Sequence, residues 1–202
     1  FTWSGEEDYT KDEKQKGEDV MKRSIGKAVA LYPMPLTVVG AMVEGKPNWL
    51  LAGHVGILGH DRVLVSLARN HYTNRGIRET RALSLQLVDE AMLERADRAG
   101  CVSGAREDKS QLFAWTAGPT GAPLIDEAPV TMECRVADIY ETEGFDNFIC
   151  TIENTYAQEE ALTPEGRIDY RKVKPVLFEM PTYESLRTGD VLAKCRSLGG
   201  RT

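Results

Sequence analysis

The sequence predicts a mainly β protein, an antiparallel barrel with a few small helices. Many short apolar segments with strand character are separated by turn signals, whereas few segments have helical spacing. That combination is typical of antiparallel barrels and sandwiches. A length of 202 residues favours one domain, and a hydrophobic content of 42% is enough for a substantial core.

The first strands are separated by recognisable turns. Glu44-Gly45-Lys46-Pro47 has the composition of a hairpin turn, and Thr163-Pro164-Glu165-Gly166 predicts a later turn. The predicted strands are Ala28–Leu31, Leu36–Val43, Trp49–Val55, Val63–Ala68, Ala82–Leu87, Val130–Tyr140 and Phe148–Tyr156.

Two short helices are predicted between the strands. Thr73 is a good N-cap, and Asn74–Glu79 can form a short helix after it. A second helix is indicated by helical spacing, and Gly100 is expected to end it. The residues with that spacing are Met92, Leu93, Ala96 and Ala99.

The beginning of the chain differs in composition from the rest. Twelve of the first 23 residues are charged, and such a segment buries little apolar surface. We therefore expect residues 1–20 to form a flexible arm or an exposed helix, and residues 21–202 to form the domain. Because the chain begins at Phe1 rather than Met, we also expect a trimmed or engineered product.

Charge and hydropathy exclude several classes of partner. The formal net charge of -6 argues against nucleic acid or an anionic membrane surface. No apolar stretch approaches the roughly 20 residues needed to span a bilayer, and no secretory signal is visible at the start. The sequence also lacks the glycine pattern of a Rossmann nucleotide site and the G-x-S-x-G turn of a serine hydrolase.

Cysteines and histidines predict no metal site. The closest cysteines are 16 residues apart, so there is no Cys-x-x-Cys motif. Free thiols in a reducing cytoplasm are the simplest interpretation. His54, His60 and His71 are offset by 6 and 11 residues, which is no standard ligand spacing. The four cysteines are Cys101, Cys134, Cys150 and Cys195.

A polar cluster follows the strand predicted at Val63–Ala68. A rigid strand that ends in polar groups, followed by a helix start with free amides, is typical of an anion pocket. Ser66 and Ala68 share one face of this strand, and their small side chains leave room for a flat ligand. A buried hairpin whose basic end is exposed to solvent is an alternative interpretation of the same residues, and the sequence favours neither over the other. The cluster is Arg69, Asn70, His71, Tyr72 and Thr73.

These segments resemble the flavin reductase-like family, specifically its flavoredoxin-type branch. Leu31–Gly40 resembles the opening strand of that branch, and Gly45–Asn48 its hairpin turn. Ser66–Thr73 resembles its phosphate-binding corner, and Ala96–Lys109 its second flavin-side loop. The resemblance covers nearly everything after Met21, and the order and spacing of the motifs make it fairly specific. It implies an FMN-binding split barrel, a Greek-key antiparallel β-barrel, that forms a homodimer with FMN near the interface.

The resemblance also implies roles for individual residues. Lys109 would place a positive charge near the flavin or a nicotinamide phosphate, and its alternative is a solvated surface lysine. His54 would donate a hydrogen bond to the flavin, and its alternative is a buried histidine bonded to backbone carbonyls. These two are the catalytic candidates. The phosphate candidates are Ser66, Arg69, Asn70, Tyr72 and Thr73. The ring candidates are Asn48, Leu50, Ala52 and His54, and Ala68 is a cofactor-binding candidate that leaves room for the ring. Ser103, Gly104 and Lys109 would close the slot for the ring from the other side.

Three departures from the branch lie near the ring or its substrate side. The branch often has an aromatic residue at the position of His54 and a phenylalanine at the position of Ser110, and a histidine common in the branch is replaced around Phe145. These departures affect the prediction of the electron donor and acceptor more than the prediction of flavin binding.

The resemblance predicts a cytoplasmic FMN-dependent oxidoreductase. It would pass electrons from NAD(P)H or a redox partner through FMN to a flavin, a small molecule or a protein. The alternatives are a flavoredoxin-like electron carrier with no nicotinamide site of its own, and a flavin-free binding module.

Overall fold

The computed structural model of the chain describes residues 22–195 and 197. The arm expected at residues 1–20 lies outside these residues. The strand predicted at Ala28–Leu31 is wrong, because residues 22–31 contain no helix or strand. The side chains of Val29 and Leu31 are 66% and 79% exposed, so this segment buries no face of the kind that a strand needs.

The remaining described residues confirm the mainly β class with small helices. The helices are α1 (Thr73–Thr80), α2 (Leu93–Cys101) and α3 (Tyr170–Val173), with a 3-10 turn at Glu159–Ala161. No helix in this part of the chain has the length and apolar character needed to cross a membrane. The strands are β1 (Met34–Pro35), β2 (Thr37–Val43), β3 (Lys46–Ala52), β4 (Val55–Ile57), β5 (Arg62–Ala68), β6 (Ala82–Leu87), β7 (Trp115–Ala117), β8 (Pro123–Ile125), β9 (Val130–Thr142), β10 (Phe145–Ala157), β11 (Leu177–Glu179) and β12 (Glu184–Leu186).

The main sheet is antiparallel and must curl into a barrel. Its order is β3-β2-β6-β9-β10-β5-β4, and only Gly53 and His54 separate the two end strands in sequence. If the sheet were flat, its two end strands, β3 and β4, would lie about 29 Å apart, because neighbouring strands are about 4.8 Å apart. Three peptide units reach at most about 11 Å. The sheet therefore bends until its ends approach at Gly53–His54, which we call the seam.

Both faces of β3 are largely buried after Lys46. Leu50 faces the barrel interior together with alternate residues of β2, β5, β6, β9 and β10. Trp49 faces outward, where it packs on Met92 and on Phe113, whose ring lies edge-on at 5.6 Å. The outer cluster includes α2, which therefore covers this side of the barrel.

The hairpin predicted between the second and third strands is confirmed. Glu44 and Gly45 form a two-residue turn with φ of 52° and 77°, the positive values that a type I′ turn requires. Pro47 lies in β3 without breaking the sheet, because β3 is an end strand.

Both predicted helix boundaries need correction. The N-cap of α1 is Tyr72 and makes no side-chain cap bond. Thr73 is the first helical residue, and its hydroxyl accepts a hydrogen bond from Asn48 Nδ2 at 2.7 Å. Helix α2 continues through Gly100 to Cys101. A Cβ on Gly100 would lie 3.0 Å from Leu51 Cβ, so this glycine serves helix packing rather than helix termination.

A buried carboxylate ties α1 to β10. Asp146 is 1% exposed and accepts hydrogen bonds from Arg78 Nη2 at 2.8 Å and Asn74 Nδ2 at 2.9 Å. Burial alone would raise the pKa of Asp146, but the bonds from Arg78 and Asn74 outweigh it and hold this pKa below its usual value.

The first prediction concerns the contact of α1 with β2. A Cβ on Gly76 would overlap the Met42 carbonyl oxygen and lie 2.7 Å from Val43 Cγ2. Gly76→Ala should therefore lower the free energy of unfolding by about 2–3 kcal/mol, as measured by urea denaturation. Gly189→Ala is the control, because nothing lies within 4 Å of that position. Equal stability of the two variants would contradict the close approach of α1.

The second prediction concerns acid stability. Asp146→Asn should lower the free energy of unfolding by about 2 kcal/mol at neutral pH, because it removes the negative charge that accepts hydrogen bonds from Arg78 and Asn74. A carboxyl with a lowered folded-state pKa contributes stability above its unfolded pKa of about 3.9 and loses it as pH falls through the folded value. The variant should therefore lose less stability than the wild type on acidification. Urea titrations across this pH range would show it, with the exposed Asp138→Asn as control; parallel curves would refute the assignment.

Candidate functional site

Two adjoining clefts lie at the start of α1 and at the seam. The first, the α1 cleft, has a volume of about 520 Å³. The second, the seam cleft, has a volume of about 300 Å³. His71 lines both clefts, so together they form one elongated site of a size common for cofactors.

The structure brings most of the predicted site residues to these clefts. Asn48 lines a third, smaller cleft of about 280 Å³ that shares Tyr72, Gly104 and Lys109 with the α1 cleft. The α1 cleft is lined by Leu50, Asn70, Tyr72, Thr73, Ser103, Gly104 and Lys109. The seam cleft is lined by Ala52, His54, Ser66 and Ala68.

Free backbone donors collect where β5 passes into α1. The amides of His71, Asn74 and Arg75 donate to carbonyls three residues earlier in the chain. No described acceptor takes the amides of Asn70, Tyr72 and Thr73, which line the α1 cleft. Unsatisfied amides at a helix start favour an anion, because the helix dipole adds partial positive charge there.

The loop after α2 closes the other side of the α1 cleft. The Ser103 carbonyl accepts from the amides of Arg106 and Glu107, at 2.9 and 3.0 Å. A salt bridge of 2.7 Å between Lys46 and Asp108 anchors the far end of the loop to β3. Arg106 makes no ion pair among the described residues and lines both the α1 cleft and the smaller cleft.

Lys109 is a buried ammonium rather than a solvated surface lysine. It is 3% exposed, and Nζ donates to the carbonyls of Ala99 at 2.9 Å and Val102 at 3.0 Å. An ammonium has three donors, so one remains for a ligand. Burial lowers the pKa of Lys109 to about 8. Desolvation and then the nearby Lys109 charge also lower the pKa of His71, which favours the neutral imidazole.

Asn48 joins the two walls of the site. Its Nδ2 donates to Thr73 Oγ1 at the start of α1. Its Oδ1 lies against Gly104, where any Cβ would overlap it and would lie 2.7 Å from Tyr72 Cδ1. The glycine therefore lets the loop after α2 approach β3 closely enough to form the cleft.

The seam cleft is mainly apolar, with His54 as a polar group. Leu51, Phe145 and Phe178 line it together with Ser66 and Ala68, the small residues expected to leave room for a flat ligand. Because the strand ends at Ala52, His54 does not continue the face of Leu50 and Ala52, whose side chains lie in the barrel core. His54 Nε2 lies 2.6 Å from the Tyr32 hydroxyl, so its bond is to a side chain rather than to a backbone carbonyl.

Arg69 lies apart from the other predicted residues. Its Nη2 donates to the Thr142 carbonyl at 3.0 Å, and its Nε lies 3.4 Å from Asp146 Oδ1. The guanidinium is thus engaged by the β9–β10 hairpin and lines neither cleft, whereas the uncommitted Arg106 lines the α1 cleft.

Several lining residues were missed by sequence reasoning. Arg106 falls inside the loop predicted to be flavin-side, and its charge was the available signal. Phe178 and Met180 come from β11 and the residue after it, far from the other segments in sequence, so no local pattern marks them. Among residues 22–195 no cluster of three or more acidic, histidine or cysteine side chains could hold a metal ion.

Comparisons with known proteins agree with this arrangement. The flavin reductase like domain model matches residues 29–186. The structure is similar to flavoredoxin from Methanosarcina acetivorans, with 32% identity, a TM-score of 0.85 and coverage of 89% of this chain and 98% of that one. It is also similar to flavoredoxin of Desulfovibrio vulgaris (Miyazaki F), with 33% identity, a TM-score of 0.82 and coverage of 89% and 100%.

A more distant structure shares the fold. An FMN-binding protein from Thermus thermophilus is 21% identical, with a TM-score of 0.75 and coverage of 86% of this chain and 100% of that one. The family model spans well over half of the chain, and the two flavoredoxins match it along nearly their whole lengths. The resemblance inferred from the sequence is therefore confirmed, and the chain belongs to the flavin reductase-like domain family.

Proposed function

We propose that this chain binds FMN and acts as a flavin reductase-like oxidoreductase. Electrons from NAD(P)H or a redox partner would pass through FMN to a flavin, a small molecule or a protein. The observation that carries the proposal is the junction of an α1 cleft rich in free donors with an apolar seam cleft. The similarity to two flavoredoxins and the fold shared with an FMN-binding protein support it.

The residues present fit the two ends of FMN. The amides of Asn70, Tyr72 and Thr73, together with the uncommitted Arg106, supply donors and charge for a phosphate. The apolar side chains of the seam cleft suit a flat conjugated ring.

Each side chain has a simple task in this scheme. Bound FMN would supply the redox chemistry, taking up a hydride or electrons and releasing them. The α1 donors hold the phosphate, and the apolar seam residues keep water from the ring. Lys109 places a positive charge in the same cleft, where it offsets negative charge on a bound anion.

A flavoredoxin-like electron carrier is the second candidate. Two observations favour it: the sequence identities of 32% and 33% to two flavoredoxins, and the net charge of -6, which suits docking to a basic redox partner. Steady-state oxidation of NADH and NADPH by the FMN-loaded protein separates the candidates. Turnover supports the reductase, and its absence together with electron exchange with a redox protein supports the carrier.

We also propose that the protein is a homodimer with FMN near the interface. Ile57 is 86% exposed and Leu58 is 52% exposed, so the edge strand β4 and the residue after it present apolar surface beside the seam. Sedimentation equilibrium with and without FMN tests this proposal, and a monomer in both states would refute it.

The third prediction tests FMN binding. The purified protein should retain flavin absorbance after incubation with FMN and desalting. Thr73→Val removes a hydroxyl from the α1 cleft and should weaken FMN binding about three- to tenfold, the effect of one lost hydrogen bond. Arg69→Ala is the matched control, because Arg69 lines neither cleft, and it should bind FMN like the wild type. A wild type that retains no flavin would overturn the proposed function.

The fourth prediction uses the lowered pKa of Lys109. Because this pKa is about 8, FMN affinity should fall about tenfold between about pH 7 and pH 9.5 as the ammonium loses its charge. The phosphate, with a second pKa of about 6, stays ionised throughout. Lys109→Gln should flatten the profile. Riboflavin, which lacks the phosphate, is the control ligand for fluorescence titration. An FMN profile as steep in the variant as in the wild type would contradict a role for Lys109.

A further inference from the structure

We propose that Tyr32 is a positioning residue that fixes the proton of His54 on Nδ1, so that Nδ1–H donates to a carbonyl oxygen of a flat conjugated ligand in the seam cleft. Tyr32 lies before β1 and is not among the site residues predicted from the sequence. The ligand part of this inference rests on the proposed function, whereas the effect of Tyr32 on His54 does not.

The direction of the Tyr32 hydrogen bond follows from its two neighbours. The hydroxyl oxygen lies 2.6 Å from His54 Nε2 and 3.2 Å from Met180 Sδ. A phenol has one proton to donate, and a thioether is a weak acceptor compared with an imidazole nitrogen. In the opposite arrangement Nε2–H would donate to the phenol oxygen, and the hydroxyl would donate to Met180 Sδ. A phenolic O–H is a stronger donor than a neutral imidazole N–H, and the shorter contact is the one to Nε2, so we assign the proton of the hydroxyl to Nε2. A neutral imidazole that accepts at Nε2 carries its own proton on Nδ1.

The other ring nitrogen is the one available to a ligand. His54 Nδ1 has no hydrogen-bond partner in the described part of the chain, and His54 lines the seam cleft. The walls contributed by Leu51, Phe145 and Phe178 are apolar. A hydrogen bond formed beside such walls is stronger than one in water, because the local dielectric is low.

Neighbouring rings hold the pair in place. Tyr32 meets Phe178 edge-on, with ring centroids 6.2 Å apart and planes at 90°. Phe145 lies against the His54 ring at 6.4 Å. The imidazole is thus placed between Tyr32 and Phe145, an arrangement that limits its rotation and keeps Nε2 directed at the phenol.

An Nδ1–H group needs a hydrogen-bond acceptor, and in this mainly apolar cleft the acceptor that fits is a carbonyl oxygen on a flat conjugated ring. Two sources share it: a carbonyl of the flavin ring, and the oxygen of a quinone-like acceptor. Both are flat and mainly apolar, as the seam cleft requires. The ligand arm of the test distinguishes them.

The first arm measures the tautomer directly. Long-range ¹H–¹⁵N correlation NMR of the flavin-free protein reports which nitrogen of His54 is protonated in the neutral ring. We expect the Nδ1–H form in the wild type and its loss, wholly or in part, in Tyr32→Phe. Tyr140→Phe, at an exposed tyrosine, is the control and should leave the spectrum unchanged. An Nε2–H wild type, or an unchanged tautomer in Tyr32→Phe, would overturn the proposal.

The second arm measures ligand binding with FMN and with 1,4-naphthoquinone. His54→Phe removes the donor, whereas His54→Asn keeps an N–H near the Nδ1 position and does not depend on Tyr32. We expect Tyr32→Phe and His54→Phe to weaken one ligand about three- to tenfold, His54→Asn to restore its binding, and Tyr32→Phe to have no further effect in the His54→Asn background. His60→Phe, at an exposed histidine outside the clefts, is the control.

The pattern identifies the ligand. Weaker FMN binding assigns the donor to the flavin carbonyl, and weaker naphthoquinone binding with unchanged FMN binding assigns it to the acceptor. If the variants weaken neither ligand while the wild type retains FMN, the inference fails and the proposed function stands. If the wild type retains no FMN, the proposed function fails. The tautomer measurement still decides whether Tyr32 determines which nitrogen of His54 carries the proton.

Discussion

The two-residue link between β3 and β4 is the constraint on which the rest of the barrel depends. Because Gly53 and His54 alone connect the ends of a seven-stranded sheet, the sheet must curl, and a seam is left where its ends approach. Side chains inside the barrel are committed to packing, so the seam is where polar and aromatic groups can face a ligand. Gly53 makes this possible, since a Cβ there would lie 2.7 Å from Phe178 Cδ1.

The site combines two environments that the fold keeps apart. The α1 cleft is formed by backbone amides and charged side chains, and its walls are joined by Asn48, which contacts both Thr73 and Gly104. The seam cleft is formed mainly by Leu51 of β3, Phe145 of β10 and Phe178 of β11, together with the small side chains of Ser66 and Ala68 on β5. A ligand with an anionic tail and a flat ring matches both only if it extends past His71, the residue that they share.

The barrel class, most strands and the first hairpin could be predicted from local pattern, because hydrophobic periodicity and turn chemistry are local properties. Most site residues came from the family resemblance, and the structure gathers nearly all of them. Arg69 is the exception, because its ion pair with Asp146 joins residues far apart in sequence. His54 does line the seam cleft, but it does so from the link after β3, because that strand ends two residues before it. Tyr32 could not be predicted at all: its partner is 22 residues away, and nothing in the intervening pattern marks the pairing.

The seam cleft is covered by a second, separate sheet of three short strands, β1-β11-β12. Phe178 lies in it, Met180 follows β11, and Tyr32 precedes β1, so the groups that border the cleft on this side share one small unit. Its strands pair with each other and not with the barrel strands, and backbone bonds among Leu36, Val88 and Val176 attach its base to the barrel. Evolution can therefore vary the chemistry at the mouth of the cleft by substitutions in this unit, while the barrel and the amides at the start of α1 stay unchanged. Such modularity means that the mouth of the cleft can change its chemistry without any refolding of the barrel.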